Sequence, residues 1–290
     1  MNKIYSLLIL ILLLSCSPSH KNAGDKIITV SIAPFKYFVE EIAGGDFKVN
    51  VMVPSGADPH IYEPFPEQII KLGKSVAYIS NGYLGFEMTW LDRFYETNKT
   101  MKKLSLGDKI ELLDTHHHSE GGHTESADPH YWVSPKCAMI MASSVEKLLC
   151  DLNPPEKQKY EANYLILISK IGKVDSLALH LFSGLQNKSF MIFHPNLGYL
   201  ARDYGLKEIS VEYEGKEPTP LRMRKLIDEA RVDGMKTIFV QREYDTKNAK
   251  AIADEIGAEV EIIDPLSENW LKATTDIIYA LHKSLIKSSN

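Results

Sequence analysis

The sequence predicts an α/β protein in two halves, each with a mostly parallel sheet flanked by helices. Strand-like and helix-like patterns alternate through both halves of the 290-residue chain, which is typical of parallel α/β layers. A helical pattern of about thirty residues, at 156–185, separates the halves and would be about 45 Å long. We therefore expect two lobes joined by a long, rigid helix.

In the first half, strands are predicted from short β-branched or alternating runs, and helices from apolar residues at helical spacing. Strands are expected at 26–32, 47–53 and 76–80. Helices are expected from Pro34 to the Gly44-Gly45 pair and at 66–73, 86–97 and 134–149. The first lobe should therefore span 26–152.

The second half repeats this alternation after the long helix, whose segment is assigned to 153–186. Strands are expected at 190–193, 237–241 and 259–263, and helices at 197–204, 220–230 and 248–257. The second lobe should span 187–290.

The N-terminus has the features of a secretory signal. A cationic start is followed by an apolar run at 4–14, which is well short of the ~20 residues needed to cross a bilayer. The sequence LLSC at 13–16 looks like a bacterial lipobox, so we predict a signal peptide at 1–15, a lipid on Cys16 and a tether at 16–25. An ordinary signal peptide with an incidental cysteine is the alternative.

Composition narrows the class of protein. The hydrophobic fraction of 44% indicates a packed core, and the net charge of −5 gives no support to nucleic-acid binding. Cys137 and Cys150 lie on one predicted helix, about 20 Å apart, so we expect two separate buried thiols rather than a disulfide.

Four residues that can bind metals stand beside prolines. The tripeptide Asp-Pro-His occurs at 58–60 and at 128–130, and His194 and Asp264 each precede a proline. His60, His194 and Asp264 follow predicted strands, where open α/β sheets bind ligands, and His130 precedes a helix. Because these residues are far apart in sequence, only tertiary folding can bring them together. Three histidines and one aspartate form a set that suits zinc in a cleft.

A polar segment at 114–127 is a second candidate for metal binding. His116, His117, His118 and His123 lie there among acids, glycines and hydroxyl residues, with too little apolar surface to pack. We expect auxiliary metal capture or sensing near the cleft, the alternative being a solvated loop without a role. Glu63 and Glu87 are candidates for an extra or supporting carboxylate, although surface or capping roles are equally compatible with the sequence.

The chain resembles the metal-binding solute-binding proteins of bacterial ABC importers, in the group for zinc and manganese. The resemblance covers nearly all of the chain after the tether. It rests on GADPHIYEP at 56–64, NGYLGFE at 81–87, DPHYWVSP at 128–135, the His194 segment ending in YGL at 204–206, and IDPL at 263–266.

This resemblance implies two lobes joined by a long helix, with the metal between them. It makes His60, His130, His194 and Asp264 the primary ligands. Manganese-selective members of the family tend to have a carboxylate at the third position, so His194 favours Zn²⁺, while Mn²⁺ stays possible. A histidine-rich loop between the first two ligands is typical of zinc importers, and here it is short.

We accordingly expect a monomeric, lipid-anchored zinc receptor in the cell envelope, on the periplasmic face or outer surface, that delivers Zn²⁺ to an ABC permease and is not an enzyme. Zinc affinity should fall as the pH drops through about 6.5, where free histidines take up protons. The alternatives are a manganese or iron receptor of the same type, a secreted zinc hydrolase with Glu63 as its base, and an adhesin.

Overall fold

The computed structural model describes residues 26–113, 127–212, 216 and 218–288. Its first half contains a four-stranded parallel sheet in the order β2-β1-β3-β4. The strands are β1 (Ile27–Ile32), β2 (Lys48–Val53), β3 (Ser75–Ser80) and β4 (Lys102–Ser105). The helices are α1 (Ala33–Ala43), α2 (Pro66–Gly73), α3 (Gly85–Thr97) and α4 (Pro135–Leu152).

The second half has a four-stranded parallel sheet with the equivalent order, β6-β5-β7-β8. Its strands are β5 (Ser189–Ile192), β6 (Lys207–Ser210), β7 (Thr237–Gln241) and β8 (Glu259–Ile263). Its helices are α6 (Gly198–Tyr204), α7 (Pro220–Val232), α8 (Lys247–Ile256) and α9 (Trp270–Ser288). The predicted fold class, with two parallel α/β lobes, is confirmed.

A single long helix, α5 (Lys157–Phe182), joins the halves. Its 26 residues extend for about 39 Å, slightly less than expected. The helix buries one face, formed by Tyr160, Leu167, Ile171, Val174, Ala178 and Phe182, and packs against α1, α4 and α9. One face of the connector is therefore packed against the protein along its length, and the opposite face is exposed.

Helix α9 follows the second sheet in the chain and packs against both halves. Its first residue, Trp270, packs its ring 5.3 Å from that of Phe38, and its indole N–H donates to the carbonyl of Trp132 at 2.6 Å. One hydrophobic core consequently includes residues from both sheets. This arrangement restricts relative movement of the lobes.

Among the described residues, two strands and one α-helix were missed by the sequence prediction. Strands β4 and β6 are only four residues long, lie at sheet edges and carry polar residues, so they lack a strong strand pattern. Helix α9 was not identified, although its buried residues recur at helical spacing. Within the described residues, no helix is both long and apolar enough to cross a membrane.

The two cysteines behave largely as expected. Both lie on α4 and both are free thiols. Cys137 is buried, whereas Cys150 is only partly so, which corrects the expectation that both are buried.

Candidate metal centre

Loops at the carboxyl ends of β2 and β5 carry His60 and His194, whereas His130 directly precedes a short 3-10 helix at Tyr131–Val133. His60 lies in the loop after β2, where Asp58 accepts a hydrogen bond from its backbone N–H at 2.8 Å. The backbone of His60 packs directly on Gly85, at the start of α3. A Cβ at Gly85 would overlap the carbonyl oxygen of His60 and lie 3.1 Å from its carbonyl carbon. Glycine at this position therefore lets the His60 loop sit tightly against α3.

The three imidazoles meet between the two halves. The Nε2 atom of His130 lies 3.1 Å from Nε2 of His60 and 3.3 Å from Nε2 of His194. The three candidate ligand atoms are all within 4.8 Å of one another. A tetrahedral zinc ion with Zn–N distances of about 2.0–2.1 Å holds pairs of nitrogens about 3.3 Å apart. The two Nε2–Nε2 distances from His130 thus fit a metal ion shared by the histidines.

Two of the three imidazole rings, those of His130 and His194, have a carboxylate at Nδ1. Nδ1 of His130 lies 2.7 Å from Oδ1 of Asp128, and Nδ1 of His194 lies 2.8 Å from Oε2 of Glu212. A carboxylate at Nδ1 accepts the ring N–H there, so the neutral ring presents the lone pair of Nε2 to a metal. Both rings are therefore oriented for coordination.

These carboxylates extend the sequence interpretation. Asp128 accepts from the backbone N–H of His130 and also contacts its ring nitrogen Nδ1. Glu212 was missed because it follows the unrecognised strand β6. Its backbone N–H donates to the carbonyl of Phe193 at 2.9 Å, which places Glu212 beside His194.

Burial keeps the histidines neutral. It lowers the pKa of His60 from 6.5 to about 4, assisted by the nearby His194. The pKa values of His130 and His194 are also lowered, mainly by burial, against the opposing effects of Asp128 and Glu212. Proton competition for the site should therefore begin at lower pH than the value of about 6.5 expected for free histidine.

Asp264 follows β8 as expected, but its carboxylate lies outside the three-histidine group. Its Oδ2 accepts a hydrogen bond from Nη1 of Arg242 at 3.1 Å. The adjoining carbonyl of Pro265 accepts from the indole N–H of Trp132 at 2.9 Å, which ties this loop to the segment that carries His130.

Residues 242–244, after β7, lie beside the histidine group and were not identified from the sequence. The ring of Tyr244 stacks on His194, with centroids 4.8 Å apart and planes 20° apart. Between Tyr244 and Arg242, the Glu243 carboxyl has its pKa raised to about 7 by burial and by Asp264, and its buried Oε2 has no hydrogen-bond partner.

The other predicted candidates have different environments. Glu63 is exposed, whereas Glu87 is fully buried and accepts the backbone N–H groups of Asn81 and Gly82. Neither belongs to the three-histidine group. Glu87 therefore organises the loop after β3. Trp132 is buried with its ring 5.3 Å from that of His130, where it contributes apolar packing.

The remaining predicted sites lie outside the described residues. They are Cys16 and the auxiliary histidines His116, His117, His118 and His123. The segment with these histidines is preceded by Leu113, whose carbonyl accepts from the backbone N–H of Asp128 at 2.8 Å.

Known proteins match most of this chain. Residues 28–283 match the family model described as zinc-uptake complex component A, periplasmic. A crystal structure of ZnuA is 35% identical and superposes with a TM-score of 0.84, covering 89% of this chain and 98% of that one.

Two curated relatives are similar over most of this chain. The zinc-binding protein AdcA of Streptococcus pyogenes serotype M3 is 29% identical over 90% of this chain and 55% of its own length. The high-affinity zinc uptake system protein ZnuA of Bacillus subtilis is 27% identical, over 87% of this chain and 82% of its own length. The chain thus spans about half the length of the streptococcal relative. With the family model matched from the first strand into the last helix, the chain belongs to the family of the periplasmic zinc-uptake complex component A.

Proposed function

We propose that this protein is an extracytoplasmic receptor that binds Zn²⁺ and delivers it to the membrane permease of an ABC importer. The observation that carries the proposal is the convergence of three imidazole Nε2 atoms at a spacing suited to tetrahedral zinc. Membership of the zinc-uptake family and the names of its relatives support the same substrate.

The proposed ligands are His60, His130, His194 and Asp264. The histidines supply neutral nitrogen donors, and their depressed pKa values keep them unprotonated at neutral pH. Asp264 would supply an oxygen and one negative charge by turning from Arg242 towards the histidines. This N₃O set favours zinc over manganese, which prefers more oxygen ligands.

Capture and release follow from the fold. Because α5 and α9 pack across both halves, large movements of the lobes are opposed by loss of core contacts. We therefore assign release to local movement of the loops that carry His60 and Asp264. The resulting hypothesis is a nearly rigid scaffold with adjustable ligand loops.

The proposed partners are the permease and, through a lipid on Cys16, a membrane of the cell envelope. We expect the receptor to act as a monomer, without catalytic activity. The exposed position of Glu63, outside the histidine group, offers no support for its proposed role as a hydrolase base.

The central test is metal binding by untagged protein purified without chelator. Metal analysis and competition calorimetry should show one tightly bound Zn²⁺ that Mn²⁺ displaces poorly. His194→Ala should weaken zinc binding at least 100-fold, since a ligand is lost. The matched control is His180→Ala, which changes an exposed histidine on α5 and should bind zinc normally. Equal affinity of the two variants would remove His194 from the site.

A cellular test addresses transport and anchoring. Deletion of the gene should impair growth under zinc limitation, and the wild-type gene should restore it. Cys16→Ser should release the protein from the membrane fraction. Normal zinc-limited growth of the deletion strain would contradict a role in uptake.

The auxiliary histidines are proposed to capture additional zinc with lower affinity. Replacing His116, His117, His118 and His123 together by serine should abolish weak zinc equivalents in calorimetry and leave the tight equivalent unchanged. Unchanged weak binding would contradict this assignment.

A further inference from the structure

The pairing of Asp264 with Arg242 follows from the register of two neighbouring strands. Arg242 comes directly after β7 and Asp264 directly after β8. The backbone N–H of Arg242 donates to the carbonyl of Ile263 at 3.1 Å, so the parallel ladder continues to this point. Nη1 of Arg242 then reaches Oδ2 of Asp264 at 3.1 Å.

The ion pair between Arg242 and Asp264 is partly exposed to solvent. The side chain of Arg242 is 62% exposed and that of Asp264 is 28% exposed. An ion pair with this degree of exposure is weakened by solvent and changes an equilibrium constant by at most about 5-fold. Arg242 can therefore leave Asp264 at small cost, because its charge remains solvated afterwards.

Asp264 lies close to other acidic groups. Asp264 and Asp58 both raise the pKa of the neighbouring Glu243 carboxyl, whereas Arg242 lowers it, so Arg242 opposes the negative potential of the two aspartates. The positive charge of Arg242 thus acts where a metal ion would approach the fourth ligand.

We propose that Arg242 is a competing internal cation that sets zinc affinity and release by exchanging with the metal at Asp264. This inference rests on the proposed zinc function and on Asp264 as the fourth ligand. Zinc binding displaces the guanidinium, which moves into solvent. Return of Arg242 to Asp264 removes the oxygen ligand, leaves zinc on the three histidines and accelerates its dissociation.

The side chain can be tested without disrupting the sheet, because the bond to Ile263 uses only the backbone of Arg242. Arg242→Gln should bind zinc about 2- to 5-fold more tightly, which corresponds to the loss of a partly exposed ion pair, with slower dissociation into a chelator in stopped-flow experiments. Arg242→Lys keeps the charge and should stay near wild type. The control Arg231→Gln removes an exposed ion pair with Glu255 in the same half and should leave zinc affinity unchanged.

A double-mutant cycle separates competition at Asp264 from a general effect of charge. In an Asp264→Asn background, Arg242→Gln should no longer tighten zinc binding. An unchanged gain in that background would overturn the exchange mechanism, as would weaker or unaltered binding by Arg242→Gln alone. Circular dichroism and thermal unfolding verify that each variant is folded.

The cycle also distinguishes this inference from the proposed function. If Asp264→Asn binds zinc like wild type, Asp264 is not a ligand and the inference fails, while a three-histidine zinc receptor remains. If wild-type protein binds no zinc, the proposed function itself fails.

Discussion

Removing the carboxylate behind His194 tests how far zinc affinity depends on residues that do not touch the metal. Glu212 is buried, and its Oε2 lies 2.8 Å from Nδ1 of His194. In Glu212→Gln, the amide oxygen still accepts the ring N–H but the negative charge is lost. In Glu212→Ala, the acceptor is lost as well.

The size of the effect follows from the chemistry of this contact. A buried hydrogen bond to a charged group contributes about 1.5–3 kcal/mol, and loss of a comparable partner of a metal-bound histidine weakens binding about 10- to 100-fold. We expect about 10-fold weaker zinc binding for Glu212→Gln. For Glu212→Ala we expect about 100-fold, because the ring is also free to rotate or change tautomer.

Zinc affinity of both variants is measured by competition calorimetry with a chelator of known affinity. The control variant is Glu255→Gln, which changes a carboxylate in an exposed ion pair of the same half. Thermal unfolding of the metal-free proteins controls for loss of fold. If both Glu212 variants bind zinc within about 2-fold of wild type, orientation of His194 by Glu212 does not contribute to affinity.

Three further outcomes are expected. Gly85→Ala should weaken zinc binding, measured by calorimetry, because the new Cβ displaces the His60 loop. The same change should lower the free energy of unfolding in urea by about 1–3 kcal/mol. Wild-type values in both measurements would contradict the contact between Gly85 and His60. Without metal, the free energy of unfolding should be greatest above about pH 6.5 and should fall towards pH 4, because the unfolded chain protonates His60 more readily than the folded protein does. His60 causes a loss of at most about 3 kcal/mol over this range. Greater stability at pH 4.5 than at pH 7 in urea unfolding would oppose this sign. Zinc at 100 times its Kd should stabilise the fold by about 2.7 kcal/mol, and a chelator should reverse the rise in melting temperature; an unchanged melting temperature would argue against a site specific to the native state.

The sequence predicts three of the four strands in each parallel sheet, the long connector and the three histidines that converge. These predictions rely on local signals: β-branched runs, helical spacing, and metal-binding residues next to prolines at strand ends. Because the carboxyl ends of parallel strands share one edge of a sheet, strand assignments alone indicated where His60 and His194 would lie.

The missed residues depend on register. Glu212 reaches His194 because backbone pairing between β5 and β6 continues beyond β5, where the N–H of Glu212 donates to the carbonyl of Phe193. Arg242 reaches Asp264 because the last residues of β7 and β8 are paired with each other. No local pattern in the chain encodes which residues of two strands are adjacent. Strand β6 was also too short and polar to be recognised, so Glu212 could not be placed.

The packing of α9 has a consequence for the order in which the protein matures. This helix follows all eight described strands, yet Trp270 packs against Phe38 and donates a hydrogen bond to Trp132, both in the first half. A nascent chain that lacks α9 therefore leaves part of the first half without its apolar partner. The His130 segment, which includes Trp132, gains its final support only after α9 has been synthesised, so complete metal-binding competence should not be acquired before that helix has emerged.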